Sequence, residues 1–374
     1  MTTGAQDVIV VGAGIAGCLT AYLLAKQGLK ATILEADSVG SHASGFAFGG
    51  LSPLDGSGIP NPLLGFSVWC FQRHATLYPE FQEAAGIDTQ FHLRDRLNLA
   101  FEPEEVSACR EDLEWQQKVP GFKLEWLEPA QALKVEPRTN PECLGAVFYE
   151  GTGAIEAYRY NLAAAQAGEK LGVAMLQRRV TGLLSRGDLC TGVTFASGQL
   201  EAGAVVLALG PWTGQTSSWC RFNLPIAPLK GQIIRLQLAT DPMRASLNYR
   251  GSYAASKPDG LIWAGTTEED AGFDEELTSW GRDKVMGDLL KMAPSLSDAE
   301  LVQQTACLRP LASDGIPVVG KVPGWENLYV ITGGGRKGIL WSTGMAQGLA
   351  ELMLQGRSQV PGLEHLDPAR FPQD

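Results

Sequence analysis

Hydrophobic positions along the chain change their period several times. Residues 7–11 form an unbroken apolar run, the mark of a strand buried on both faces. Apolar positions 15, 18, 19, 22, 23 and 24 then recur at helical spacing, and "LKATILEA" reads as a second strand. The same rhythm resumes later. The alanine-rich segment 157–170 is a good helix former, and "VAMLQRRVTGLL" supplies strands. The stretch 187–214 reads as a hairpin followed by a buried strand over 204–209, and "NLYVIT" precedes a long helical pattern.

Between these stretches the pattern differs. "NPLLGFSVWCFQRHATLYPEFQEAAG" predicts a helix with aromatics on its buried face, and "EPEEVSACREDLEWQQKV" a more exposed, acidic one. "FHLRDRLNLAF" alternates like a strand. Trp69, Trp115 and Trp126 read as packing groups. "PLKGQIIRLQL" and "SLNYRGSYAASKPDGLIWAGTTEEDAGFDEE" predict several antiparallel strands, with "KPDG" as a turn.

The resulting fold class is α/β. A Rossmann-type dinucleotide domain is expected over 1–55, 140–215 and 308–360. A mainly antiparallel α+β substrate domain is expected over 56–139 and 216–307, with 361–374 as a C-terminal tail. A length of 374 residues, 45% hydrophobic, is ample for two cores.

Composition narrows the function. A net charge of −11 and a pI near 5.0 give no broad attraction to nucleic acid or anionic membrane. Seven cysteines lack any CxxC pair, which suits reduced thiols in a cytoplasmic protein. The four histidines form no HExxH or clustered pattern, so no metal site is expected. The N-terminus shows no signal-peptide pattern, and no apolar stretch is long enough for a membrane span.

The strongest local signal is Gly12, Gly14 and Gly17 in "VIVVGAGIAG". The first permits a tight turn, the second lets the backbone approach a pyrophosphate, and the third lets a helix pack closely on the strand. The helix N-terminus then favours negative charge. Glu35 ends the second strand, 23 residues after Gly12. Its carboxylate can accept hydrogen bonds from ribose hydroxyls and would repel a 2′-phosphate, which disfavours NADP. The following "SVGSHASGFAFGGLSP" offers backbone donors and the hydroxyls of Ser41 and Ser44 to a flavin's pyrophosphate–ribityl chain; a flexible loop is the other reading. The strand around Val180 is assigned an adenine-side contact, and Gly210 a turn close to the dinucleotide. Trp212 is either a pocket cap or core packing.

Taken in order, "VIVVGAGIAG", "ILEAD", "SHASGFAFGG", "VVLALGPWT", "GSYAASKPDGLIWAGTTEEDAGFD", "CLRPLASDGIPVVG" and "NLYVITGGGRKGILWSTGMAQGLAELM" resemble the FAD-dependent amino-acid oxidase family over nearly the whole chain. That family includes glycine/sarcosine and D-amino-acid oxidases. The resemblance implies that the second glycine loop, Gly334, Gly335, Lys337, Gly338 and Ile339, wraps the reactive ring of FAD. It implies that Arg309 and Arg336 hold a substrate carboxylate and that Tyr253 adds a hydrogen bond. Arginine offers a rigid donor fork that matches a carboxylate, and tyrosine a neutral donor.

Three departures stand out. Gly334 replaces the family's frequent histidine, a loss of bulk that suggests more room for substrate. Ser256–Lys257 stands where the glycine/D-amino-acid branch often has Pro-Arg. Arg309 stands where the sarcosine branch tends to place a flavin-linking cysteine, which implies non-covalent FAD, although Cys307 is two residues away.

The implied chemistry is hydride transfer from a small carboxylate-bearing amine (glycine, sarcosine or D-amino acid) to FAD, with oxygen as acceptor and hydrogen peroxide as product. Such a reaction needs placement of two centres more than an acid–base dyad. A dehydrogenase that uses a quinone or other carrier is one alternative. A non-catalytic flavin-binding protein is another.

Overall fold

The computed structural model describes residues 6–238 and 241–372. The apolar run becomes the strand Gln6–Val11, in which Val8, Ile9 and Val10 are wholly buried. It lies parallel to Ala31–Glu35 on one side and to Gly198–Leu207 on the other. Leu328–Thr332 continues the parallel set beside Gly198–Leu207, and Val318–Lys321 closes that edge antiparallel. Ala174–Gln177 forms the opposite edge beside Ala31–Glu35. A hairpin of Val180–Arg186 and Leu189–Phe195 is attached to the start of Gly198–Leu207.

Alternate residues of this sheet feed two apolar layers. Val8, Val10 and Ile33 face helices Ile15–Lys26, Leu64–Ala85, Ala157–Lys170 and Gly338–Gln355. Ile9, Val11 and Leu34 face a layer that includes Val193, Phe222, Leu224 and Trp325. Helix Ile15–Lys26 is buried around most of its circumference, as expected for a crossover between two central parallel strands.

The chain divides into two compact units, residues 1–91, 155–229 and 308–374 in one, and 92–154 with 230–307 in the other. The second unit is built on a mainly antiparallel sheet. Ile226–Gln237, Ile262–Gly265, Ser252–Ser256 and Ser246–Tyr249 lie side by side, followed by His92–Ala100, Gly145–Ala154 and Lys123–Leu127. Only the pairing of Ser246–Tyr249 with His92–Ala100 is parallel among these. Helix Ser279–Met292, capped by the Thr278 hydroxyl on the Gly281 N–H, buries Val285, Leu289 and Met292 against Leu97, Ile234, Leu247 and Ala264. The "KPDG" turn closes through the Gly260 N–H on the Lys257 carbonyl, 3.0 Å.

These unit boundaries differ from those read from the sequence. Residues 56–91 belong to the first unit, because Phe66 and Phe81 of the aromatic helix join Tyr160 and Trp341 in its core. Residues 216–229 also belong there, through Cys220, Phe222 and Leu224. Residues 140–154 belong to the second unit, because Gly145–Ala154 registers along its sheet. No helix among the described residues is long and apolar enough to cross a membrane.

Helix Leu64–Ala85 carries a buried histidine that meets the start of the C-terminal helix. His74 Nε2 donates to the carbonyls of Ile339 and Leu340, at 3.2 and 3.1 Å, while its Nδ1 is buried without a partner. Burial pushes this imidazole down from 6.5 to about 4. The unfolded chain therefore takes up the proton first as pH falls. The stabilisation is full above 6.5 and is lost progressively towards 4. Between pH 7 and 5 the loss should be about 2 kcal/mol. Urea unfolding of the full chain at both pH values checks this. A His74→Gln variant, which keeps a donor but does not titrate, should lose correspondingly less.

Candidate functional site

The first parallel strand of the first unit runs into a turn that only glycine can provide. Gly12 has φ of +113°, and a Cβ there would lie 2.3 Å from the Ala208 carbonyl oxygen of the neighbouring strand's end. A Cβ on Gly17 would lie 2.0 Å from the Gly12 oxygen, so the helix sits directly on the turn. Gly14 is the residue before the helix, and a Cβ there would approach the Ser44 hydroxyl at 3.2 Å.

Around this turn the polar groups are arranged in sequence. Ser44 Oγ accepts from the Ile15 N–H at 3.0 Å and closes part of the helix N-terminus. Glu35 accepts from the Ala13 N–H at 2.7 Å and the Asp37 N–H at 2.8 Å. An ionised carboxylate has about four acceptor sites, so two such bonds leave capacity for ribose hydroxyls. Ser41 Oγ is buried without a protein partner, as a hydroxyl waiting for a ligand acceptor would be. Val180 is buried at the start of its strand, just after Arg178, whose N–H donates to the Glu35 carbonyl at 2.7 Å. The residues present fit an extended dinucleotide: a bare glycine turn, a helix N-terminus, a carboxylate at the second strand's end and an orphaned hydroxyl.

Sequence reasoning missed two supports of this arrangement. Asn161 donates through Nδ2 to the Ala13 carbonyl at 3.1 Å and holds the turn from the helix side. A buried polar residue in an alanine-rich helix was the signal available. His42 contacts Asp37 at 3.0 Å and meets the Trp212 ring edge-on, 4.7 Å between centroids. Trp212 therefore packs against the serine-rich segment.

The second glycine loop is joined to the first region by Thr332, whose hydroxyl donates to the Gly210 carbonyl at 2.9 Å. Gly210 is itself left-handed, with φ of +54°. Gly334 forms an isolated antiparallel bridge with Leu311, which lays the strand bearing Arg309 alongside the loop bearing Arg336. Arg309 is buried, 9% exposed. Gly335 is left-handed at +49°, Gly338 opens the C-terminal helix, and Ile339 is buried in its first turn.

Two expectations about this loop change. A Cβ on Gly334 would lie 2.7 Å from the Gly338 Cα, so the missing histidine side chain does not leave an open space in that direction. The loop has closed on its own backbone instead. Lys337 does not leave its charge uncommitted for a cofactor: Nζ donates to the Ser52 carbonyl at 2.8 Å and is ion-paired with Asp55. The loop's backbone is what remains to meet a ring system.

Tyr253 lies in the second unit, on strand Ser252–Ser256, opposite Gly265 on one neighbour and Asn248 on the other. Among the described residues no cluster of His, Cys, Asp or Glu could hold a metal ion.

The class these features define is shown by comparison with known proteins. Residues 7–352 match the model of the FAD dependent oxidoreductase family, and the chain belongs to that family. It is an FAD-dependent oxidoreductase. The chain is 29% identical over 368 residues to a glycine oxidase of Pseudomonas aeruginosa, and 28% identical over 368 residues to one of Pseudomonas putida, covering 98% of each chain in both cases. Its fold superposes on the crystal structure of glycine oxidase from Geobacillus kaustophilus with a TM-score of 0.94, at 25% identity, covering 99% of this chain and 100% of the other.

The Lys337–Asp55 pair ties segment 52–63 to the second glycine loop across 282 positions of sequence. Lys337→Met should loosen that segment while leaving the first glycine turn intact. Limited proteolysis of the holoprotein should then cut within 52–63 several-fold faster than in wild type, with FAD content unchanged. Equal cleavage rates would show that the pair does not hold the segment.

Proposed function

We propose that this protein oxidises the C–N bond of a small amino acid or N-substituted amino acid of the glycine, sarcosine or D-amino-acid class, with oxygen as final acceptor and hydrogen peroxide as product. The observation that carries the reading is the Leu311–Gly334 bridge, which sets Arg309 and Arg336 on adjoining segments of a unit whose other glycine loop suits a dinucleotide. Full-length likeness to glycine oxidases supports the same substrate class.

On this reading Gly12, Gly14, Gly17, Ser41 and Ser44 take the pyrophosphate side of FAD, and Glu35 takes the ribose. Val180 and Gly210 border the adenosine half, and the backbone of Gly334, Gly335, Gly338 and Ile339 meets the ring. Lys337 acts on that loop through Asp55 and Ser52. FAD supplies the acceptor for a hydride from the substrate α-carbon. The chain's contribution is placement. Guanidinium groups bind a carboxylate through parallel N–H donors, which fixes both the position and the roll of the substrate. Tyr253 adds a hydrogen bond to the bound substrate. With the amine bound neutral, breaking the α-C–H bond needs no protein base. The imine product hydrolyses in water to an oxo acid and ammonia or an amine.

Arg309→Met should lower kcat/KM for glycine or sarcosine by an amount equivalent to about 2–5 kcal/mol, because a charge-paired contact to substrate is lost. Flavin content should be unchanged. Peroxide release and oxygen uptake, measured with a glycine, sarcosine and D-amino-acid panel, check both parts. Wild-type activity in the variant would remove Arg309 from the site. Flavin reduction by substrate without oxygen uptake would replace the oxidase reading with a dehydrogenase.

A further inference from the structure

Gly265 is a glycine whose φ does not require one, although its peptide bond to Thr266 is cis. It is absent from the left-handed glycines, whose φ lies between +49° and +154°. It is the last residue of strand Ile262–Gly265, and a strand glycine often marks the close approach of another group. What approaches is the tip of Tyr253. A Cβ on Gly265 would lie 2.6 Å from the Tyr253 hydroxyl oxygen, 2.8 Å from Cζ, and 3.2 Å from Ile233 Cγ1 on the next strand. Tyr253, Gly265 and Ile233 form one row across three antiparallel strands.

The surroundings leave little freedom to absorb a methyl group. On one side, the Ser252 hydroxyl is bonded to Asp288 on helix Ser279–Met292, where Lys284 pairs with the same carboxylate. On the other, the chain beyond Gly265 is tied to Gln232, which is fully buried. The Gln232 N–H donates to Thr267 Oγ1 at 2.8 Å, and its Nε2 to Glu269 Oε1 at 2.9 Å. Gln232 Oε1 in turn accepts from the Thr278 N–H at 3.0 Å and Gln304 Nε2 at 2.7 Å. Both strands are thus anchored within the second unit. The tip of the tyrosine ring is what a methyl group on Gly265 would have to displace.

We propose that Gly265 is a positioning residue for Tyr253: the missing side chain is the seat of the tyrosine hydroxyl, and it sets where that hydroxyl donates to the amino-acid substrate. The proposal rests on the reading that Tyr253 bonds the substrate, and it adds the element that fixes the bond's geometry. Gly265→Ala pushes the hydroxyl away by roughly 1 Å, enough to misalign a hydrogen bond.

The test is a cycle in the FAD-loaded enzyme: Gly265→Ala, Tyr253→Leu and both together, read by thermal midpoint and by glycine and sarcosine kinetics. In the tyrosine background, Gly265→Ala should lower the midpoint and raise KM about tenfold, with kcat changed by less than about threefold and flavin content unchanged. In the leucine background, where the tip is gone, the same substitution should change either quantity little. Equal effects in both backgrounds, or none in either, would overturn the proposal. So would loss of folded protein in both. If only the single Gly265→Ala variant failed to fold, the contact would be supported directly. A Tyr253→Phe variant separates the underlying reading. Unchanged KM there would remove Tyr253 from substrate binding, whereas coupling in the thermal midpoint would still show that Gly265 seats the ring.

Discussion

The first unit depends on an approach of backbones that leaves no room for side chains. Gly12, Gly17 and Ala208 bring two parallel strand ends and a helix so close that a Cβ on either glycine would fall about 2 Å from a carbonyl oxygen. This contact lets helix Ile15–Lys26 begin directly at the turn, with its remaining N–H donors directed beyond the strand ends. Ser44, Glu35 and Asn161 then fix the surrounding chain by bonds to Ile15 and Ala13. The same crowding fixes the neighbouring parallel strand, because Ala208, just past its end, presents its oxygen to Gly12.

The second glycine loop solves a different problem. Its glycines do not surround a helix dipole alone. They let the chain close on itself between Gly334 and Gly338, and bridge back to the strand that carries Arg309. Its lysine reaches segment 52–63, so the loop is anchored at Asp55, at Thr332–Gly210 and beneath by His74. A loop held at three points can present backbone donors with little conformational loss on binding. On the proposed reading one glycine turn takes the charge and the other a ring, a division of labour that matches the chemistry of a flavin dinucleotide.

What could be read from the sequence was whatever depends on nearby residues. The strand–turn–helix–strand of residues 7–35, the "KPDG" turn and the mainly antiparallel second sheet follow from period and turn chemistry. The unit boundaries did not, because an aromatic helix carries no label for the core it will join. Leu64–Ala85 had the right pattern and joined the first unit, where Phe66 meets Trp341. Long-range polar contacts were hidden for the same reason. Nothing local marks Lys337 as the partner of Asp55, or distinguishes Gly265 from an ordinary strand glycine until Tyr253 is placed over it. The extra room expected at Gly334 is limited on one side by a steric detail, the position of the Gly338 Cα, that only three dimensions reveal.

The central claim is that a small amino acid reduces the FAD of this protein. The direct measurement is anaerobic mixing of the holoprotein with glycine, sarcosine and D-amino acids while the visible flavin spectrum is followed. Loss of the oxidised-flavin bands with at least one of these substrates, saturating with concentration, is the expected result. A flavin that dithionite reduces but that no amino acid in the panel bleaches would contradict it.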